Sequence, residues 1–182
     1  MIVALGIFTI VLFMATSAFL AVVNADRKSR ATRIAMDNLN LALEDMSRRI
    51  KTGSNYNCGN DISQTTKDCS SGGESLKFID QDGQSFVYKR GVGSSGCANN
   101  NLYADGQGCI LRNLPNDTTF MLATSPEIDI KSLKFIVSGS SPSDTVQPVV
   151  FAMIEGSLGA STMKTLFNIQ TTITQRKYDA AP

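Results

Sequence analysis

Residues 21–50 read AVVNADRKSRATRIAMDNLNLALEDMSRRI, and the absence of any proline or glycine across them decides how the chain is built. Twenty-three uncharged residues, MIVALGIFTIVLFMATSAFLAVV, lead into this stretch. As a helix they would cover roughly 30 Å or more, enough to cross a bilayer. Beyond them Met36, Leu39, Leu43, Met46 and Ile50 recur at steps of three and four, one apolar stripe on a continuing helix. Asp26 with Arg30, Glu44 with Arg48 and Asp45 with Arg49 stand four apart in the favourable order on a face expected to be solvated. Thr52-Gly53-Ser54-Asn55 supplies the stop. The expectation is a single helix of about fifty residues, roughly 75 Å long, apolar all round in its first half and amphipathic in its second.

The chain of 182 residues, 42% of them hydrophobic, has room for one modest domain beside that helix. A net charge of +1 gives no overall field to attract nucleic acid. With no histidine there is no Ser-His or Cys-His pair and no His-ligated zinc, so an enzyme is not expected and neither a catalytic residue nor a cofactor is assigned. Glu127 and Asp129 are the nearest carboxylate pair, and alternation reads them as strand-edge charges on one face. Asp80-Gln81-Asp82-Gly83 begins like a calcium loop but lacks the third acid and the closing glutamate, so no metal site is assigned. Arg48, Arg49 and Lys51 have no aromatic among them and read as a solvated helix end rather than a nucleic-acid groove.

Cys58 and Cys69 bracket one polar loop, and Cys97 and Cys109 bracket another. Three connectivities are open to four cysteines, and the two sequential pairings are expected because each would staple a loop too polar to form a core. Ser54 to Gly73 reads as a long excursion outside the core. SLKFID and SFVYKR form a hairpin around DQDGQ, a short strand is expected at CILRNL, and three longer ones follow in SLKFIVSG, QPVVFAMIEGS and TLFNIQTTITQR. In the last, Phe167, Ile169, Thr171 and Ile173 share one face. An antiparallel sheet laid on the helix stripe gives an α+β fold whose loops are closed by disulfides. The expected organisation is residues 1–24 as the transmembrane half of the helix, 25–52 as its amphipathic half, 53–178 as a β head and 179–182 as a tail.

The MIVALGIFTIV opening, the unbroken run into an amphipathic helix and the final strands IDIKSLKFIVSG, QPVVFAMIEGS and TLFNIQTTITQR resemble the type IV pilins and the pseudopilins of type II secretion, in particular their minor subunits. The family's Gly-Phe-Thr-Leu-x-Glu block, which normally stands directly before such an opening, is absent from this chain. Aligned in this way, Met1 follows the family's helix glutamate and a short basic leader lies upstream. The resemblance implies a structural subunit of a pilus or secretion-type filament. Its helix would rest in the inner membrane before packing against other subunits' helices, with the head outside the cytoplasm. Gly6, Ala15 and Ala18 are the expected close-packing positions, and Arg27, Lys28, Arg30 and Arg33 are expected at the headgroups. Read from Met1 alone, the positive-inside rule would instead leave the head in the cytosol, and the paired cysteines oppose that. The competing class is a singly anchored extracellular binding module or adhesin. No small-molecule substrate is evident, and no nucleic-acid partner is expected.

Overall fold

The computed structural model describes residues 1–59, 68–113, 117, 119–141, 146–159 and 164–176. The chain falls into two compact units, Met1–Ile34 and Ala35–Pro182. The expected tail, 179–182, lies outside the described residues, as do the last two positions of the expected head. Helix α1, Ile2–Thr52, contributes residues to both units and has no break at the anticipated junction near residue 24.

Within the first unit nearly every side chain is exposed, among them Phe8, Phe13, Phe19 and Leu20. In the uncharged run 1–23 the three hydroxyls bond within the helix: Thr9 donates to the Gly6 carbonyl at 2.8 Å, Thr16 to Leu12 at 2.7 Å and Ser17 to Met14 at 2.9 Å. Such back-bonding satisfies these hydroxyls without water, as a lipid-facing stretch requires.

The second unit is α+β, with the remainder of α1 packed on antiparallel sheets. One sheet has the order β1-β3-β4-β5-β6, with β1 Ser54–Cys58, β3 Ser75–Ile79, β4 Ser85–Val92, β5 Gly108–Asn113 and β6 Phe120–Leu122. The other has the order β2-β7-β8-β9, with β2 Cys69–Gly73, β7 Ile128–Ser138, β8 Val149–Leu158 and β9 Thr165–Thr174. Sequence patterning leads to one sheet; there are two, because alternation reveals a strand but not its neighbour.

The helix stripe is buried, though shifted from its expected centre. Ala35, Leu39, Met46 and Ile50 are at most 1% exposed, Leu43 is half-buried, and Met36 is 37% exposed. At about 100° per residue, the four buried positions fall within an arc of about 60°; Leu43 lies about 20° beyond it and Met36 about 40°. Met36 therefore borders the core rather than filling it, and the small Ala35 takes the opposite rim.

The Ser54–Gly73 excursion is not wholly outside the core. Tyr56, Asn57 and Cys58 of β1 are buried. The Tyr56 hydroxyl lies 2.6 Å from the Ile50 carbonyl oxygen, which also accepts the Gly53 N–H at 3.1 Å, and 2.7 Å from the Gly53 carbonyl oxygen, so it fastens β1 to the end of α1. Residues 60–67 of the excursion lie outside the described residues. The second polar loop also builds a core of its own: after the single turn α2, Gly93–Gly96, the side chains of Cys97, Tyr103, Cys109 and Leu111 cluster with Phe120 and Leu122 against them.

Candidate functional site

Both expected disulfides are present, Cys58–Cys69 and Cys97–Cys109, each with Cα atoms 6.0 Å apart. The first holds β2 against the end of β1, and the second closes the loop that carries Tyr103. The Tyr103 hydroxyl donates to the Thr124 carbonyl at 2.7 Å and pins that loop across the sheet.

In the first unit, none of the most apolar eighteen-residue stretch of α1 is buried, and the helix is long and apolar enough to cross a membrane. A Cβ added to Gly6 would meet nothing, and Ala15 and Ala18 are exposed, so all three anticipated contact positions are open to a neighbouring helix. Arg27, Lys28, Arg30 and Arg33 follow, all exposed, within roughly 9 Å of helix rise. Arg30 is bound to Asp26 at 2.9 Å. At such exposure this pair contributes little to stability.

In the second unit the polar face of α1 is less solvated than its sequence implies. Glu44–Arg48 is an exposed pair at 3.0 Å, but Asp45 is a hub. It accepts Arg49 Nε at 3.0 Å, Arg112 Nη1 of β5 at 2.8 Å and the Tyr88 hydroxyl of β4 at 3.4 Å. Arg49 also lies over the Phe86 ring, 4.9 Å from its centroid. Burial and then the Asp45 charge push the Tyr88 hydroxyl up to about 12, the neighbouring arginines opposing. It therefore stays protonated and donates. The hub locks the helix to the first sheet. The sequence showed the Asp45–Arg49 pair by its spacing, but not that Arg112 and Tyr88 of the sheet join it.

Glu127 and Asp129 do not form a carboxylate pair. Glu127 is exposed, whereas the Asp129 side chain is 9% exposed and engaged with Lys131 at 2.7 Å, Lys164 at 3.6 Å and the Gly108 N–H at 3.0 Å. Here the edge-charge reading fails, because the β5 end and Lys164 close over the carboxylate. Asp80 Oδ1 accepts the N–H groups of Asp82 and Gln84 at 2.9 and 3.0 Å, so it fastens the hairpin turn. Among the described residues no three His, Cys, Asp or Glu side chains converge to hold a metal ion. A surface cleft of about 830 Å³ runs beside the Cys97–Cys109 loop, lined in part by Leu102, Gln107, Glu127, Lys131 and Lys164.

One unit thus carries an exposed apolar helix, and the other carries two disulfides and the Asp45 charge hub. No family model, curated protein or solved structure matches the chain.

Proposed function

We propose that the protein is a structural subunit, of the minor pilin or pseudopilin kind, of a type IV pilus or type II secretion-type filament. The observation that carries this reading is the unbroken α1, apolar and uncovered from Ile2 to Val23, whose later turns are core of the folded head. A lipid anchor for a receptor needs only hydrophobicity and gains from a flexible break after the span. A subunit needs a helix that serves in lipid and then among other helices, with no hinge to disturb its register. In this reading the helix rests in the inner membrane before assembly, the disulfides favour a head on the oxidising side, and the four basic residues meet the headgroup layer, at about 1 kcal/mol each near an anionic surface.

Helix association without a hydrophobic drive depends on close approach. Gly6→Leu and Ala18→Phe should therefore leave membrane insertion and head folding intact while removing the chain from sheared filament fractions. Incorporation of both variants at the wild-type level would refute the reading.

A further inference from the structure

Among the described residues β9 is the outermost strand of its sheet. It pairs with β8 without a shift from Thr165 to Thr174 and contains no charge, proline or glycine. Natural edges are normally blunted by such residues, by bulges or by brevity, because an edge presents a row of unpaired N–H and C=O groups. Phe167 and Ile169, on the core side of β9, pack against the main core yet are only half-buried, and Leu166 on the other face is 81% exposed. The sheet thus ends one strand short of covering its own apolar side chains. At the start of β9 a hollow of about 430 Å³ opens between Leu166, Phe167 and Asn168 and the neighbouring Lys131, Glu155 and Gly156, with room for a side chain of an added strand.

The other described edges of this chain do not supply that strand. β1 is buried at Tyr56, Asn57 and Cys58, and a Cβ on Gly73 of β2 would collide with Gly59, so the flank of β2 is occupied. β6 is only Phe120–Leu122, and soon after it the Ile128 N–H closes a turn on the Ser125 carbonyl. Nor does β9 suit a second copy of itself. Its neutral run is bounded by Lys164 and Arg176, both cationic and both exposed. Full antiparallel overlap of 164–176 on the same residues of another copy sets each Lys164 opposite an Arg176, and like charges directly opposite destabilise a strand pair. Two cationic ends select instead for a strand with anionic ends.

We infer that the β9 edge accepts an extended segment of a different polypeptide, apolar at alternate positions so as to cover Phe167 and Ile169, with a carboxylate at each end to meet Lys164 and Arg176. Main-chain hydrogen bonds supply the attraction, as in strand addition generally, while the alternate side chains and the hollow beside Leu166 discriminate between segments. The end charges speed encounter and reject cationic segments. This goes beyond the filament reading and does not depend on it, because the edge belongs to the folded head alone.

The test uses the full-length chain dispersed in detergent, so that its outcome is independent of filament assembly. The probe is a fluorescent peptide of alternating valine and threonine, matched to β9 in length, with an aspartate at each end. Its anisotropy should rise saturably with added chain, and the same peptide with every backbone nitrogen methylated should not bind. A peptide with lysine in place of each aspartate should bind about tenfold more weakly or worse, and the double variant Lys164→Glu with Arg176→Glu should reverse that preference. Ile169→Lys, the inward-pointing charge of a naturally blunted edge, should abolish binding. Intact disulfides and unchanged far-UV circular dichroism confirm that each variant has folded, and the charge reversal decides alone should Ile169→Lys fail this check. Binding that is absent, survives methylation or ignores the reversal overturns the proposal. So does an Asn168→Cys variant that forms a disulfide-linked dimer before any peptide is added, since a second copy would then occupy the edge.

Discussion

Asp129 and Asp68 show how single carboxylates hold the head's loops in place. Burial alone would raise the pKa of Asp129, but the Lys131 hydrogen bond, the Gly108 N–H and the charges of Lys131 and Lys164 outweigh it and leave it lowered. For Asp68, burial again opposes, and hydrogen bonds from Ser140 and the Gly139 N–H lower the pKa below its ordinary value. Asp68 Oδ1 lies 2.7 Å from the Ser140 nitrogen, so this carboxylate fastens the start of β2 to the end of β7. A carboxylate whose folded pKa is depressed contributes stability that is fully present above its unfolded pKa and is lost as pH falls through the folded value. Asp129→Asn and Asp68→Asn should therefore melt below wild type at neutral pH, with the gap shrinking as pH falls below the ordinary carboxylate range of about 4. Thermal melts of the full chain in detergent would check this, and a gap independent of pH would contradict it. Only the Lys131 partner of Asp129, two residues along the same strand, lies near in sequence; Gly108, Lys164, Gly139 and Ser140 are brought near by the fold.

The second half of α1 is where patterning carried the most structural information and where its resolution ended. The three- and four-residue steps located the buried face, while its centre lies toward Ala35, a residue whose small side chain gives little hydrophobic signal. Leu39→Asp should unfold the head and Leu39→Ala should cost about 2–5 kcal/mol, whereas Met36→Ala should stay within about 0.5 kcal/mol. Denaturant titration of the detergent-solubilised chain distinguishes these outcomes; equal losses at both positions would mean that the rim and centre of the face are misassigned. The same limit applies to the strands. β9 was legible because apolar and polar residues alternate along it, and β7 and β8 because each is a run of ten or more residues rich in strand formers. β1 and β2 were not, since SNYNC and CSSGG are made of turn-forming residues whose burial comes from neighbours, Tyr56 beneath the end of α1 and Cys58 in its disulfide. β6, three residues long, is too short to show a period.

At the scale of the whole molecule, a folded unit with its own core and a helical unit that covers none of its apolar surface belong to one chain. That much was legible in the sequence, because twenty-three uncharged residues followed by an amphipathic stripe have few physical solutions. The division of the head into two sheets was not, since alternation reveals a strand but not its neighbour. In the proposed function the helix from Ile2 to Val23 exchanges lipid for other helices. The chain contains no tryptophan, so Phe13→Trp, at an exposed position of that segment, places a single indole where the exchange would occur. In membranes of bromine-labelled lipid its fluorescence should be strongly quenched before assembly and should recover once the chain enters filaments. Quenching that persists unchanged in the assembled fraction would show that the helix still faces lipid, and that this is an anchor rather than an assembly helix.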